Sequence, residues 1–191
     1  PGTISVFDGV DVSWNSSSSL NFYANSEFLT QGAVSFKSEG SGGLEIYAKE
    51  RIQLGGSQST LGESTLQTNS GLLKLQTGSG STARGIFLKD AILSTNTGNI
   101  EIVGYNAVGD GTTVAESQIL STGGDITIEG HSTAANGNGL AFLSDLEDRS
   151  QVANTGGIIK LAGLGQGTGK AIVFNDTNAV HAANDFLING D

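Results

Sequence analysis

The feature that most restricts this chain is a glycine followed, two positions on, by a pair of apolar residues that flank one polar residue. It recurs at Gly42 with Leu44 and Ile46, Gly71 with Leu73 and Leu75, Gly98 with Ile100 and Ile102, Gly124 with Ile126 and Ile128, and Gly157 with Ile159 and Leu161. Leu20 and Phe22 make a sixth case, with Ser18 in the glycine's place. The residue between each pair is polar throughout: Asn21, Glu45, Lys74, Glu101, Thr127 and Lys160. Strict alternation of this kind describes a strand with one buried face.

The register continues on both sides. The next inward position holds Ala24, Ala48, Thr77, Gly104, Gly130 or Gly163, which predicts a corner where backbone approaches closely. Upstream, four units place an aliphatic residue five positions before the glycine (Leu66, Leu93, Ile119, Val152) and Asn69, Asn96, Thr122 or Thr155 two before it. Asn, Thr and Gly are turn chemistry. A further inward strand is expected between these two, in "RIQLG", "GIFLKDA", "GLAFLSD" and "AIVFND". Three strands per unit predict a triangular cross-section.

Counted on Leu20, Leu44, Leu73, Ile100, Ile126 and Ile159, the units are 24, 29, 27, 26 and 33 residues apart. A loose period of this length with short strands describes the coils of a parallel β-solenoid. The expectation is therefore an all-β chain of six to seven coils forming one domain over 1–191. Residues 1–19 would be a partial first coil, 20–174 the regular coils and 175–191 a partial last coil. Helical spacing occurs only in "LAFLSDLEDRSQVA", Leu140 to Ala153, whose "GLAF" also fits a strand. The inserts "GGSQSTLGES", "GSGSTAR", "YNAVGDGTT", "HSTAANGNG" and "LGQGTG" would all leave the rod along one edge, where a solenoid commonly binds.

Composition limits the functions. There is no cysteine, so disulfides, thiolate metal sites and cysteine nucleophiles are excluded. A formal charge of −10 opposes binding to nucleic acid, which needs clustered Lys and Arg. No apolar run approaches the roughly 20 residues that span a bilayer. The chain begins at Pro1 and contains no Met, which reads as a processed product or a piece of a longer chain.

The phrases "STNTGNIEIVG", "STGGDITIEG" and "ANTGGIIKLAG", with "ARGIFLKDAILSTNTG" overlapping the first, resemble the repeats of filamentous haemagglutinin-type exoproteins. These are large secreted adhesins of Gram-negative bacteria exported by a two-partner system. The resemblance runs from about Leu20 to Phe174 and rests on the texture T-G-x-I-x-I/L-x-G. It implies a single-stranded right-handed parallel β-helix, a place on the cell surface or outside the cell, and a role in adhesion or fibre building. The asparagine-proline motif of the family's secretion region is missing, so the chain looks like part of the repeat shaft.

No residue stands out as catalytic, cofactor-binding or metal-ligating. His131 and His181 lack a second His or Cys at zinc-type spacing. The acidic clusters are "SDLEDRS" (Asp145, Glu147, Asp148) and "FDGVD" (Asp8, Asp11), and carboxylates serve polysaccharide-cleaving β-helices. Such enzymes need acids projecting from adjacent coils at matching offsets, whereas the aligned outward positions mix Glu, Lys, Thr and Asn. Turn oxygens at Asp110, Asp145, Asp148 or Asp176 would suit calcium, yet the glycine-rich nonapeptide of calcium-loaded β-rolls is absent. "GSGS" and "GQGTGK" lack P-loop spacing, and "NSS" at Asn15 and "NDT" at Asn175 match the glycosylation sequon. Trp14, Tyr23, Tyr47 and Tyr105 could form a sugar-binding strip if they face outward, as Tyr47 does in this register.

The expected function is a non-enzymatic, structural or adhesive segment of an extracellular fibre. Its partners would be glycans or proteins of a host or neighbouring cell, or further copies stacking end to end on uncapped strand edges. A polysaccharide lyase or hydrolase of the pectinase-like type, or a phage tail-spike shaft, is the alternative.

Overall fold

A computed structural model describes residues 2–55, 63–80, 82–143, 150–175, 179–182 and 184–190. Among them there is no helix, and the chain makes seven passes around three faces. The first pass is β1 (Ile4–Phe7), β2 (Asp11–Trp14) and β3 (Leu20–Ala24); the second is β4 (Glu27–Gln31), β5 (Ser35–Ser38) and β6 (Leu44–Ala48). Then come β7 (Arg51–Leu54), β8 (Ser64–Thr68) and β9 (Leu73–Thr77), followed by β10 (Gly85–Lys89), β11 (Ala91–Thr95) and β12 (Ile100–Asn106). The fifth pass is β13 (Thr112–Ala115), β14 (Gln118–Ser121) and β15 (Ile126–Ser132). The last two are β16 (Leu140–Leu143), β17 (Gln151–Asn154) and β18 (Ile159–Leu164), then β19 (Ile172–Phe174), β20 (Ala179–Ala182) and β21 (Phe186–Gly190).

Each strand pairs with the strand three later in sequence, always parallel, giving three seven-stranded sheets. Sheet A starts from β1, sheet B from β2 and sheet C from β3. The alternation read from the sequence sets the register of sheet C: Leu20, Leu44, Leu73, Ile100, Ile126 and Ile159 are successive partners, and Phe186 extends the column. Sheet B aligns Val12, Phe36, Leu66, Leu93, Ile119, Val152 and Val180 in the same way. The ladders therefore run beyond 20–174, through β1 and β2 at one end and β20 and β21 at the other.

These columns meet in one thin core. Ile52, Leu66, Leu73, Leu93, Ile100, Ile126 and Leu140 are fully buried. Near the first coils the three sheets each contribute a ring, with Phe22 lying 5.2 Å from both Phe28 and Phe36. Through the middle coils aliphatic side chains replace the rings, until Phe142 stacks on Phe174 at 4.8 Å near the far end.

The segment from Leu140 to Ala153, whose "GLAF" fitted a strand, has strands at both ends, β16 and β17, with 144–149 outside the described residues. Two points of the sequence reading change. The insert "GGSQSTLGES", of which 56–62 lie outside the described residues, connects β7 of sheet A to β8 of sheet B, whereas the other four inserts connect strands of sheet C to strands of sheet A. The inserts do not share one edge. The strand β13 was not anticipated, because its TTVA has all four residues buried and so shows no alternation.

Each corner has its own chemistry. Where A turns into B, Gly9, Gly32, Gly55, Asp90 and Glu116 all take a left-handed conformation, φ between 50° and 88°. Where B turns into C, a buried polar column of Ser38, Thr68, Thr95, Ser121 and Asn154 ends the five inner strands of sheet B. Thr68 Oγ1 donates to Gly71 O at 2.7 Å, Thr95 Oγ1 to Gly98 O at 2.7 Å and Ser121 Oγ to Gly124 O at 2.9 Å. Outside it, Asn96 Nδ2 donates to Asn69 Oδ1, and Thr122 Oγ1 to the Asn96 oxygens, so the turns are bonded coil to coil.

A charge in the centre of sheet C should be felt by the coils on both sides. Ile126→Asp is expected to cost more than ~4 kcal/mol, since an unpaired carboxylate would replace a fully buried side chain. Chemical denaturation measures it, and an unfolding curve identical to that of the parent chain would contradict this register.

Candidate functional site

At the corner between sheets C and A the regular wall opens into loops in four successive passes. The first two passes turn there within 25–26 and 49–50; later passes spend 78–84, 107–111, 133–139 and 165–171. Since sheet register fixes where each loop leaves and returns, the returning backbone must cross over the last inward position of sheet C. A Cβ on Gly104 would lie 2.3 Å from Gly111 O, and one on Gly130 or Gly163 would lie 1.9 Å from Gly139 O or Ala171 O. Where no loop is present, the same column holds Ala24 and Ala48. The three glycines of this column are thus imposed by the foot of the loop in the same coil.

The loops stack on one another as the strands do. Ala107 N donates to Ala83 O, Thr133 N to Asn106 O, Gly111 N to Asn138 O and Gly139 N to Lys170 O, each at 2.9 Å. Side chains extend the pattern. Asp110 Oδ1 accepts from Asn138 N at 2.7 Å, and Asn138 Oδ1 accepts from Lys170 N at 3.0 Å. Asn106 is the hub: its amide nitrogen donates to Arg84 O and Asp110 O, and its oxygen accepts from Val108 N and Gly109 N. The result is a ledge of fixed shape beside the strands.

Next to the ledge, sheet C carries paired rings. Tyr105 and His131 face outward on adjacent strands and stack at 4.7 Å with 12° between planes, and His131 Nε2 lies 3.6 Å from Glu129 Oε2. A small recess of about 30 Å³ opens there between Ala83, Tyr105, His131 and Thr133. Tyr23 and Tyr47 pair at 6.4 Å over a second recess of about 110 Å³ with Glu45, Lys74 and Gln76. A third concavity, open and about 420 Å³, runs along sheet B and its corner, lined by Lys37, Glu39, Gln67, Asn69, Asn96 and Thr122.

The weighed residues separate accordingly. Asp145, Glu147, Asp148 and Asp176 fall outside the described residues. Asp8 Oδ1 accepts from Ala33 N at 2.8 Å and so ties one corner to the next, while Asp11 sits in β2. Glu27 meets Arg51 at 3.2 Å and Arg84 at 3.4 Å, and Asp125 accepts from Ile158 N at 2.9 Å. Among the described residues no three His, Asp or Glu side chains converge in a way that could hold a metal ion. His181 lies exposed in β20, and Trp14 donates to Ser18 O at 3.0 Å near the first coil. Asn15 lies in the exposed turn after β2; at Asn175 the second sequon runs into residues outside those described.

The ring pairs carried a signal in the sequence. Tyr105 and His131 are 26 residues apart, the spacing of Ile100 and Ile126, and Tyr23 and Tyr47 are 24 apart, the spacing of Leu20 and Leu44. Residues separated by one coil length become neighbours. No family model, curated protein or solved structure matches this chain.

The ledge makes a local prediction. Gly130→Ala should destabilise the fold by ~1–3 kcal/mol through forced displacement of the loop foot, whereas Gly80→Ala, with nothing within 4 Å of its new methyl, should leave it unchanged. Urea unfolding midpoints of the two variants provide the comparison.

Proposed function

We propose that this chain is a structural and adhesive segment of an extracellular fibre, a rigid rod that presents the loop ledge and its flanking rings to another surface. The observation that carries this reading is the bonding of successive loops to each other. Display loops that hydrogen-bond coil to coil hold their shape before a partner arrives, which lowers the entropic cost of binding. The ledge repeats over four coils, so one partner can be gripped at several points along the rod.

The surface chemistry supports partners that are neutral or basic and hydrogen-bonding. Amides, hydroxyls and stacked rings suit a glycan or a polar protein face, and the charge of −10 disfavours polyanions. The likeness of the repeat phrases to filamentous haemagglutinin-type exoproteins supports a setting on the surface of a Gram-negative bacterium. The mixed outward columns of sheet C, Asn21, Glu45, Lys74, Glu101, Thr127 and Lys160, favour display over cleavage.

Binding of the fluorescent chain to host or bacterial cells, read by flow cytometry, tests the proposal. Tyr105→Ala combined with His131→Ala should weaken it by about tenfold, the typical loss when a central aromatic contact is removed. Gln118→Ala, on sheet B, should not weaken it. Depolymerisation of a polysaccharide by the chain, with no retention on cells, would overturn the reading.

A further inference from the structure

The concavity of about 420 Å³ along sheet B belongs to no display loop. It lies on the outer face, where the sheet B strands of successive coils end. Its walls are two outward columns set two positions apart along the chain, about 7 Å. One runs Lys37, Gln67, Ser94, and the other runs Glu39, Asn69, Asn96, Thr122. Between them Ser38 and Thr95, whose side chains are buried, form the floor.

The two walls are fixed differently. Asn69 Nδ2 donates to Glu39 O at 3.2 Å, Asn96 Nδ2 to Asn69 Oδ1 at 3.2 Å and Thr122 Oγ1 to Asn96 Oδ1 at 2.6 Å, so the corner wall is a bonded ladder. An amide nitrogen carries two hydrogens, and each of these Asn nitrogens spends one on the ladder and keeps one for a partner outside. On the opposite wall the Gln67 amide and the Ser94 hydroxyl bond to no other described residue. Each of them can both donate and accept. The only charged side chains of the lining, Lys37 and Glu39, meet at 3.5 Å at one end. At the other end the first column passes from Ser94 to Leu120, and the polar lane stops. From β5 to β14 it covers three coil steps, about 14 Å at the usual strand spacing.

We infer that this lane binds a linear, uncharged glycan laid along the rod axis, a second contact surface on a different face from the ledge. A sugar hydroxyl both donates and accepts, and in two successive coils it meets an Asn donor on one wall and a group of both kinds on the other. The lane itself has no net charge and the chain carries −10, which disfavours a uronate or sulfated chain. An extended peptide is disfavoured as well. The backbone of sheet B is spent in its own ladder, so this face cannot add a strand, and the lining holds no apolar side chain to anchor one. A wall that is bonded before the glycan arrives reduces the ordering cost of binding.

Titration of the isotope-labelled chain with maltohexaose, mannohexaose and xylohexaose, read by amide NMR shifts, tests this. At least one sugar should move the signals of Gln67, Ser94 and Asn96 and saturate in the millimolar range, whereas hexagalacturonate and a neutral peptide of Ser and Asn should not. Gln67→Ala with Ser94→Ala should weaken that binding about tenfold, the loss expected for two hydrogen bonds, at an unchanged unfolding midpoint. Thr65→Ala with Gln118→Ala, outward on the same sheet but outside the lane, should leave it intact. No shift with any of the three sugars, shifts that persist unaltered in the first double variant, or tighter binding of the peptide or the uronate would overturn the proposal. The ledge is tested separately. Tyr105→Ala with His131→Ala should leave the titration unchanged, and a lane that binds no sugar takes nothing from the ledge.

Discussion

Everything in this structure depends on where the strand backbones find their hydrogen-bond partners. Each of the three sheets is built from strands one coil apart, and all pairings are parallel. A coil by itself therefore satisfies almost none of its strand amides and buries almost none of its Ile and Leu surface. Stability comes from the contact between coils, repeated along the axis. The same requirement fixes register, because a slip of one residue would turn an entire apolar column outward.

The three corners resolve the remaining constraint, that backbone must turn without leaving buried polar groups unpaired. One corner does so with left-handed residues, the second with the buried hydroxyls of Thr68, Thr95 and Ser121 and the amide of Asn154, the third with loops that bond to the next loop. The third lengthens in four successive passes, and the first lengthens between β7 and β8 and between β16 and β17. The strand columns leave side-chain choice on the inside nearly invariant, so variation accumulates in the connections.

Much of this was legible because a parallel coil repeats its offsets. The glycine, the Ile/Leu pair and the small corner residue located sheet C and its register, and "RIQLG" and "GIFLKDA" located sheet A. What escaped did so for physical reasons. The TTVA of β13 is covered on both sides, so burial left no period of two in it. Phe36 sits six positions before Gly42 because the turn 39–43 is one residue longer than 69–72, which moved it out of the alignment. The hydroxyl column at Thr68, Thr95 and Ser121 is polar and buried, and polar residues read as turn or surface until their partners are known. The ledge was expected only as inserts leaving the rod, and its coil-to-coil bonding through Asn106, Asp110 and Asn138 is a tertiary fact.

Amide hydrogen exchange followed strand by strand tests the central claim most directly. If the coils are held by one another, the amides of β9, β12 and β15 should exchange at the same slow rate as those of β8, β11 and β14 and of β7, β10 and β13. Protection should then fall toward β1–β3 and β19–β21 together. Fast exchange confined to one sheet in the middle of the rod, or protection that breaks into independent blocks along the axis, would contradict it.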